Sequence, residues 1–295
     1  MANLSQAGQG ALPDIRYMKR TVQRVRVATA AVAPNPGRLT DLVIPEEYTY
    51  YEKNPGVFED FLQHDSGPAS GDDRMLIFST ERNLDILSHA TDWAMDGTFD
   101  AAPMLFTQVY SIHATFMERT LPLVYALLSN KNQATYQTLF VKVRNLTRQN
   151  ARPERVITDF ELAAMNGFSR EYPNVQQSGC FFHFSQNVYR CIQRAGLQAE
   201  YVDDADFALK CRTISGLAFV PPADVAQSFE ELSDYLPDRL QPVLDYVEDN
   251  YIGRINRRGV RRTATFEIGV WNMYDCVVTD YARVKNLCAS MWLIC

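Results

Sequence analysis

The sequence predicts an α/β fold, built on a mixed five-stranded sheet with helices on both faces. Three strands follow one another with only turns between them, at Asp92–Asp100, Leu105–Phe116 and Arg119–Leu128. Helices and strands alternate after this meander, a pattern typical of parallel strands joined by helical crossovers. The predicted order is therefore β-β-β-α-β-α-β-α.

The alternating part can be assigned element by element. Residues 133–149 carry apolar side chains at 136, 139, 140, 143 and 146, which is the spacing of one helix face. A short apolar strand, a second helix, a fifth strand and a third helix follow. We place them at Arg155–Thr158, Glu161–Ser169, Gln177–Phe182 and His183–Ala195.

The flanking segments differ in composition from this core, which we assign to residues 91–196. Residues 1–44 form a basic, flexible arm, and residues 45–90 a small N-terminal α/β region with a helix that begins after Thr80. Residues 197–265 are a proline-punctuated α-helical insertion that ends in an arginine-rich loop. Residues 266–295 are an incomplete C-terminal core helix.

Composition limits the classes of protein. The chain is 46% hydrophobic and 22% charged, as in soluble globular proteins, and it has no apolar run long enough for a membrane span. The six cysteines include no C-x-x-C pair, which favours reduced thiols over a disulfide scaffold. We therefore expect an intracellular protein without a membrane partner.

The net charge of −6 hides a local basic cluster. Five arginines, Arg254, Arg257, Arg258, Arg261 and Arg262, lie close together after the acidic insertion. Such a cluster is either a solvated loop or a surface that contacts DNA phosphates, each contact adding salt-dependent affinity. Because DNA binding depends on local patches, the negative net charge does not exclude it.

Two aspartates stand at the ends of predicted strands. Asp96 precedes Gly97, and Asp159 follows Arg155–Thr158. In isolation, Asp96 would start a turn, and Thr158-Asp-Phe-Glu161 would form a helix capping box in which Asp159 and Glu161 favour the helix N-terminus. Carboxylates fixed on rigid strand ends also suit a two-metal site for phosphoryl transfer, because Mg²⁺ prefers oxygen ligands in strict octahedral geometry.

The Cys180-x-x-His183 step is the third candidate site. Its spacing suits half of a zinc site, and a second Cys/His pair is not evident in the sequence. Spacing alone leaves open whether these residues bind zinc or are a buried thiol and a hydrogen-bonded imidazole.

These segments together resemble the transposases of Mutator-like elements (MULE), which are DDE enzymes of the RNase H-like fold. The resemblance is carried by Trp93-x-x-Asp96-Gly-Thr-Phe, by Ile157-Thr-Asp-Phe-Glu with Asn166-Gly-Phe, and by the Cys180-x-x-His183 step. It implies catalytic, metal-binding roles for Asp96 and Asp159 with Mg²⁺ or Mn²⁺, and zinc at Cys180 and His183. It also implies double-stranded DNA bearing terminal inverted repeats as partner, a nuclear location, and self-association as a candidate.

The predicted activity depends on the third catalytic acid of the DDE triad, which the resemblance leads us to expect in addition to Asp96 and Asp159. The resemblance extends through Trp271-Asn-Met-Tyr-Asp275, but Ala289 stands about where the family has its glutamate. We therefore predict a transposase-derived domain that is truncated or degenerate at this acid and inactive as it stands. Two alternatives remain: a non-catalytic DNA- or protein-binding module on the same fold, and an unrelated nuclease whose third acid is Glu267 or Asp275.

Overall fold

A mixed β-sheet organises the molecule. The computed structural model describes residues 36–117 and 119–278, so most of the basic arm, and Ala289, lie outside the described residues. The strands within these residues are β1 (Tyr50–Asn54), β2 (Val57–Asp60), β3 (Leu62–Asp65), β4 (Met75–Phe78), β5 (Asp92–Thr98), β6 (Gln108–Phe116), β7 (Arg119–Leu128), β8 (Arg155–Thr158) and β9 (Gln176–Gly179).

The predicted α/β class is confirmed, but the predicted number of strands is wrong. Among the described residues the main sheet has seven strands, in the order β3-β4-β7-β6-β5-β8-β9. β5, β6 and β7 form the predicted antiparallel meander, and β8 and β9 continue in parallel from β5. The two additional strands arise because β4 pairs with β7, from Met75↔Leu128 to Phe78↔Tyr125, and brings β3 with it.

Ten α-helices cover or extend this sheet in the part of the chain that is described. They are α1 (Glu81–His89), α2 (Gln133–Leu146), α3 (Leu162–Glu171), α4 (Phe181–Arg194), α5 (Gln198–Asp203), α6 (Ala205–Gly216), α7 (Val225–Tyr235), α8 (Gln241–Val247), α9 (Ile268–Trp271) and α10 (Tyr274–Val278). The predicted cap at Thr80 is confirmed, since its Oγ1 accepts a hydrogen bond from the Asn83 amide at 3.2 Å. Of these helices, none has the length and apolar character that a membrane crossing requires.

Several element boundaries differ from the prediction, including the end of β5 at Thr98 rather than Asp100 and the end of α2 at Leu146 rather than Gln149, and two further differences concern the site. β6 begins at Gln108 rather than at Leu105, because Leu105 and Phe106 leave the strand direction and pack against Leu39 and Leu76. β9 ends at Gly179 rather than at Phe182, and α4 already begins at Phe181. Both deviations affect loops at the edge of the sheet where the two candidate acids lie.

Two main cores hold the fold together. The first lies between one face of the sheet and α1, α2 and α3, with Trp93, Tyr110, Phe140 and Phe168 among its buried side chains. The second joins α4 to the helical region, where the Trp271 ring stacks on Phe184 with 5.0 Å between ring centroids. The start of α4 also covers the opposite face of the sheet, since Cys180 packs on Ala94 and Ile157.

Candidate active site

The fold brings Asp96 and Asp159 to one cleft. β5 and β8 are parallel neighbours with Ala94 opposite Ile157, and each aspartate stands two residues further along its chain. Alternate residues of a strand point to the same face, so register alone places both acids on one side of the sheet edge. Both line an open cleft of about 910 Å³.

Asp96 is surrounded by polar groups from neighbouring elements. The residue is 3% exposed, and its Oδ1 lies 3.6 Å from Nε2 of His183. The Ser111 hydroxyl donates to the backbone carbonyl of Asp96 at 3.3 Å, and Nε2 of His113 lies 2.8 Å from the same hydroxyl. Burial lowers the pKa of His113, whereas the charge of Asp96 acts in the opposite direction.

Asp159 has a strongly shifted acidity. Burial, followed by the negative charges of Glu161 and Asp96, raises the pKa of Asp159 from 3.8 to about 7. The Glu161 amide, which donates to the Asp159 carboxylate, and the charge of Lys131 counteract this shift in part. Perturbed acids in clefts are frequent at functional sites, because the same crowding of like charges is what a bound cation relieves.

Glu161 does not cap α3 through its side chain, so the predicted capping box is wrong. It occupies the N-cap position, but its carboxylate makes no capping hydrogen bond. It lies instead 3.2 Å from Nζ of Lys131. Burial, above all, raises the pKa of Tyr136, and the Glu161 carboxylate adds to this by accepting a hydrogen bond from the Tyr136 hydroxyl. The Glu161 side chain is therefore held by Lys131 and Tyr136, which are distant from it in the sequence.

Phe160, which also lines the cleft, stands between the acidic residues Asp159 and Glu161 in the sequence. Its ring packs into the helical core, 5.0 Å from the ring of Phe266 and 5.5 Å from that of Tyr251. Gly179 at the end of β9 makes room for it, since a Cβ at this glycine would lie 2.3 Å from the Phe160 ring. The position of Asp159 is thus tied to the helical region by the neighbouring ring.

Cys180 and His183 lie one helical turn apart at the start of α4, but their surroundings differ. Cys180 is fully buried in an apolar cluster. His183 faces Asp96 with Nε2, while its buried Nδ1 has no hydrogen-bond partner in the part of the chain that the structure describes. Within residues 36–117 and 119–278, no group of three or more His, Cys, Asp or Glu side chains is arranged to hold a metal ion.

The five predicted DNA-binding arginines fall into two sets. Arg254 forms ion pairs with Asp249 and, at 3.6 Å, with Asp245. Arg261 pairs with Glu230 at 2.5 Å and donates to the Gly253 carbonyl at 2.6 Å. The exposed ones without an ion pair among the described residues are Arg257, Arg258 and Arg262.

The alternative third acids lie away from the cleft. Neither Glu267 nor Asp275 is among the described residues that line it. Burial raises the pKa of Cys276, the charge of adjacent Asp275 adds to this, and that of Arg155 opposes it. Cys276 thus lies within electrostatic reach of Arg155, the first residue of β8.

Three cleft or near-cleft residues were not predicted from the sequence. His113 could have been found, because the meander places Ser111 opposite Asp96 and His113 two residues further on the same face. Lys131 and Arg190 also line the cleft, but no motif in the sequence around them indicates this position. Lys131 follows β7, its Nζ lying 4.0 Å from the centroid of the Phe99 ring, and Arg190 lies on α4.

Comparison with known proteins supports the family prediction. The family model of the MULE transposase domain matches residues 93–187, about a third of the chain. This segment holds Asp96, Asp159, Cys180 and His183. No curated protein matches the chain. The predicted resemblance is confirmed for the segment that the family model covers.

Proposed function

We propose that this chain, which contains a MULE transposase domain, is a DNA-binding protein descended from a metal-dependent enzyme of DNA strand cleavage and transfer. Its partner is double-stranded DNA with terminal inverted repeats, in the nucleus. The observation that supports this proposal most directly is the position of Asp96 and Asp159. Both line one cleft at the ends of two parallel strands, within the segment that the family model matches.

The proposal includes an RNase H-like core. Five neighbouring strands, β7-β6-β5-β8-β9, combine an antiparallel meander with two parallel additions. This supports the fold implied by the resemblance, with β3 and β4 as an extension at the meander edge. Both candidate acids follow or lie in the central strands β5 and β8.

The donor set of the cleft suits a hard divalent cation such as Mg²⁺ or Mn²⁺. Asp96 and Asp159 would supply carboxylate oxygens, and neutralising their crowded charge would lower the raised pKa of Asp159. Glu161 is held by Lys131 and Asp100 lies exposed at the rim of the cleft, so Asp96 and Asp159 are the two carboxylates that we assign to the ion. Such an ion, when bound, polarises a phosphoryl oxygen and lowers the pKa of bound water.

The chain itself is proposed to be without cleavage activity. The resemblance puts Ala289 at the position of the third acid, and two metal ions need shared carboxylates to be held a few ångströms apart. The two remaining acids orient one ion at most. Zinc at Cys180 and His183 would need further ligands, which the described residues do not provide.

The non-catalytic binding module remains the second candidate function. It is favoured by the same missing carboxylate together with three exposed arginines that form no ion pair with any residue of 36–117 or 119–278, Arg257, Arg258 and Arg262. The two candidates differ in their partner, since the first binds DNA whereas the second binds DNA or a protein.

Fluorescence anisotropy with labelled duplex DNA tests the proposal. The purified protein should bind, and the logarithm of its affinity should fall linearly with the logarithm of salt concentration as phosphate contacts release counterions. Addition of EDTA should leave most of this binding intact. Absence of any salt-sensitive binding, with duplexes both bearing and lacking terminal inverted repeats, would contradict the proposal.

A further inference from the structure

One face of α4 carries a polar stripe that begins at the cleft. Asn187, Arg190, Gln193 and Arg194 are three or four residues apart along this helix, so they share a face. The opposite face is apolar, with Val188 and Ile192 buried in the helical core. The stripe is therefore held in place by a packed helix rather than by a loop.

The stripe joins two surface grooves. Asn187 and Arg190 line the cleft that contains Asp96 and Asp159. The same two residues, with Gln193, Arg194 and Tyr246 of α8, line a second groove of about 540 Å³. We refer to the two grooves, which share Asn187 and Arg190, together as the α4 channel.

The arginines of the stripe are available for an anionic partner. Arg190 and Arg194 are exposed, and neither forms an ion pair with an acid of the described residues. The Arg194 guanidinium lies over the Tyr246 ring, 5.4 Å from its centroid, which fixes its direction without neutralising its charge. Arg254, by contrast, is occupied by acids.

We infer that this channel carries the backbone of a DNA strand into the cleft, with Arg190 and Arg194 on its phosphates. Four helical residues rise by about 6 Å, and a strand of duplex DNA has one phosphate per about 3.4 Å of axis, so the two guanidinium groups suit nearby phosphates. Gln193 adds a hydrogen-bond donor between them, and Asn187, whose amide also donates to the Tyr251 hydroxyl, lies one turn before Arg190. The inference rests on the proposed function and assigns the DNA path.

Anisotropy titrations with labelled duplex DNA test this path through three variants. Arg190→Ala/Arg194→Ala should weaken binding and make the log–log salt slope shallower by about 1.8, since each phosphate contact contributes about 0.9. Arg190→Lys/Arg194→Lys should restore most of the slope. The control Arg82→Ala/Arg119→Ala removes two exposed arginines that line neither groove, and it should bind like the wild type.

A local readout complements the titrations. Benzoylphenylalanine introduced at Gln193 should cross-link to the labelled duplex under light, whereas the same residue at Arg119 should not. Equal melting temperatures of all variants check that the helix is intact.

The possible outcomes distinguish a failure of the inferred DNA path along α4 from a failure of the proposed function. A wild-type protein that binds no DNA contradicts the proposed function itself. Wild-type binding with an unchanged slope in Arg190→Ala/Arg194→Ala, or an equal loss in the control variant, overturns the α4 path alone. Failure of cross-linking at position 193 by a protein that binds DNA overturns it as well.

Discussion

The carboxylate Oδ1 of Asp159 accepts a hydrogen bond from the backbone amide of Glu161, 3.3 Å away. Burial above all, followed by the negative charges of Glu161 and Asp96, raises the pKa of Asp159 to about 7, and this hydrogen bond opposes the shift in part. The turn therefore holds the acid in place, while the surroundings of the acid discourage its ionisation.

The stability of the metal-free protein should depend on pH through Asp159. Its folded pKa of about 7 lies above the ordinary 3.8, so between these values the folded protein holds a proton that the unfolded chain has lost. Asp159 thus favours folding at low pH, and this contribution disappears as pH rises through about 7. The free energy of unfolding of the wild type should therefore fall by on the order of 2 kcal/mol between about pH 5 and pH 8. The variant Asp159→Asn should lack this fall.

Denaturant unfolding in EDTA at several pH values measures this difference. The asparagine keeps an oxygen that can accept the hydrogen bond from the Glu161 amide. Asp100→Asn, which removes an exposed carboxylate from the rim of the same cleft, is the matched control. Parallel pH profiles for the wild type and Asp159→Asn would show that the burial of Asp159 has no such effect.

Mn²⁺ should stabilise the wild-type protein above neutral pH. A ligand that binds only the folded state adds about 2.7 kcal/mol at a concentration 100 times its Kd. Asp96→Asn and Asp159→Asn should each remove most of the gain in melting temperature, because each takes away one of two charged ligands. Differential scanning fluorimetry with and without Mn²⁺ measures the gain in melting temperature. If both variants gain as much as the wild type, the cation binds elsewhere.

The protein should not nick or join DNA when Mg²⁺ or Mn²⁺ is supplied. Positioning of the reacting groups provides most of the catalysis of phosphoryl transfer, and the chain has Ala289 where the family resemblance puts its third acid. A supercoiled-plasmid assay and an assay with labelled terminal-repeat duplex measure this. Nicking that disappears in Asp159→Asn would contradict the prediction and make Ala289 irrelevant to catalysis.

The arginines of the arginine-rich loop should fall into two groups, one that contributes to DNA binding and one that stabilises the fold. Arg257→Ala/Arg258→Ala/Arg262→Ala should make the salt dependence of DNA binding shallower by about 2.7 if each residue contacts one phosphate. Arg254→Ala/Arg261→Ala should affect DNA binding less and lower the melting temperature instead, since these residues tie the loop to acids of the helical region. Anisotropy and thermal unfolding on both variants give the comparison; the reverse pattern would refute it.

Gly179→Ala should destabilise the protein and disturb the cleft. The added methyl group would lie 2.3 Å from the Phe160 ring, and overpacking of this kind typically costs about 1–3 kcal/mol. Gly216→Ala, where no atom lies within 4 Å of the new Cβ, is the control and should be neutral or stabilising. Thermal unfolding distinguishes them, and equal stability of both variants would show that Phe160 moves freely.

Local pattern was sufficient to predict much of the core. The meander, the helix of residues 133–146 and the cap at Thr80 follow from spacing and residue type, and the structure has them. The shared cleft of Asp96 and Asp159 also follows, since acids at the ends of adjacent parallel strands meet at one sheet edge.

The remaining features depend on contacts between distant residues. β3 became part of the sheet only through β4, whose own partner β7 lies about fifty residues further along the chain. Glu161 matches a capping box locally, but Lys131 supplies a stronger partner from thirty residues away. Arg254 and Arg261 look like free cations in the sequence, and acids of α7, α8 and the turn that follows neutralise them. Glu230 lies 31 residues from Arg261, outside any local window, whereas Asp249 lies only five residues from Arg254 and is visible in the local sequence.

Phe160, Gly179 and Phe266 fill one shared volume behind the acid-bearing turn. Among descendants of the same ancestral gene, these positions should consequently change in concert. A side chain larger than hydrogen at position 179 should occur only where position 160 has lost its ring, and a smaller residue at 266 only where another bulky group compensates. This co-variation should persist even in lineages whose acids have been replaced, because it records packing rather than chemistry.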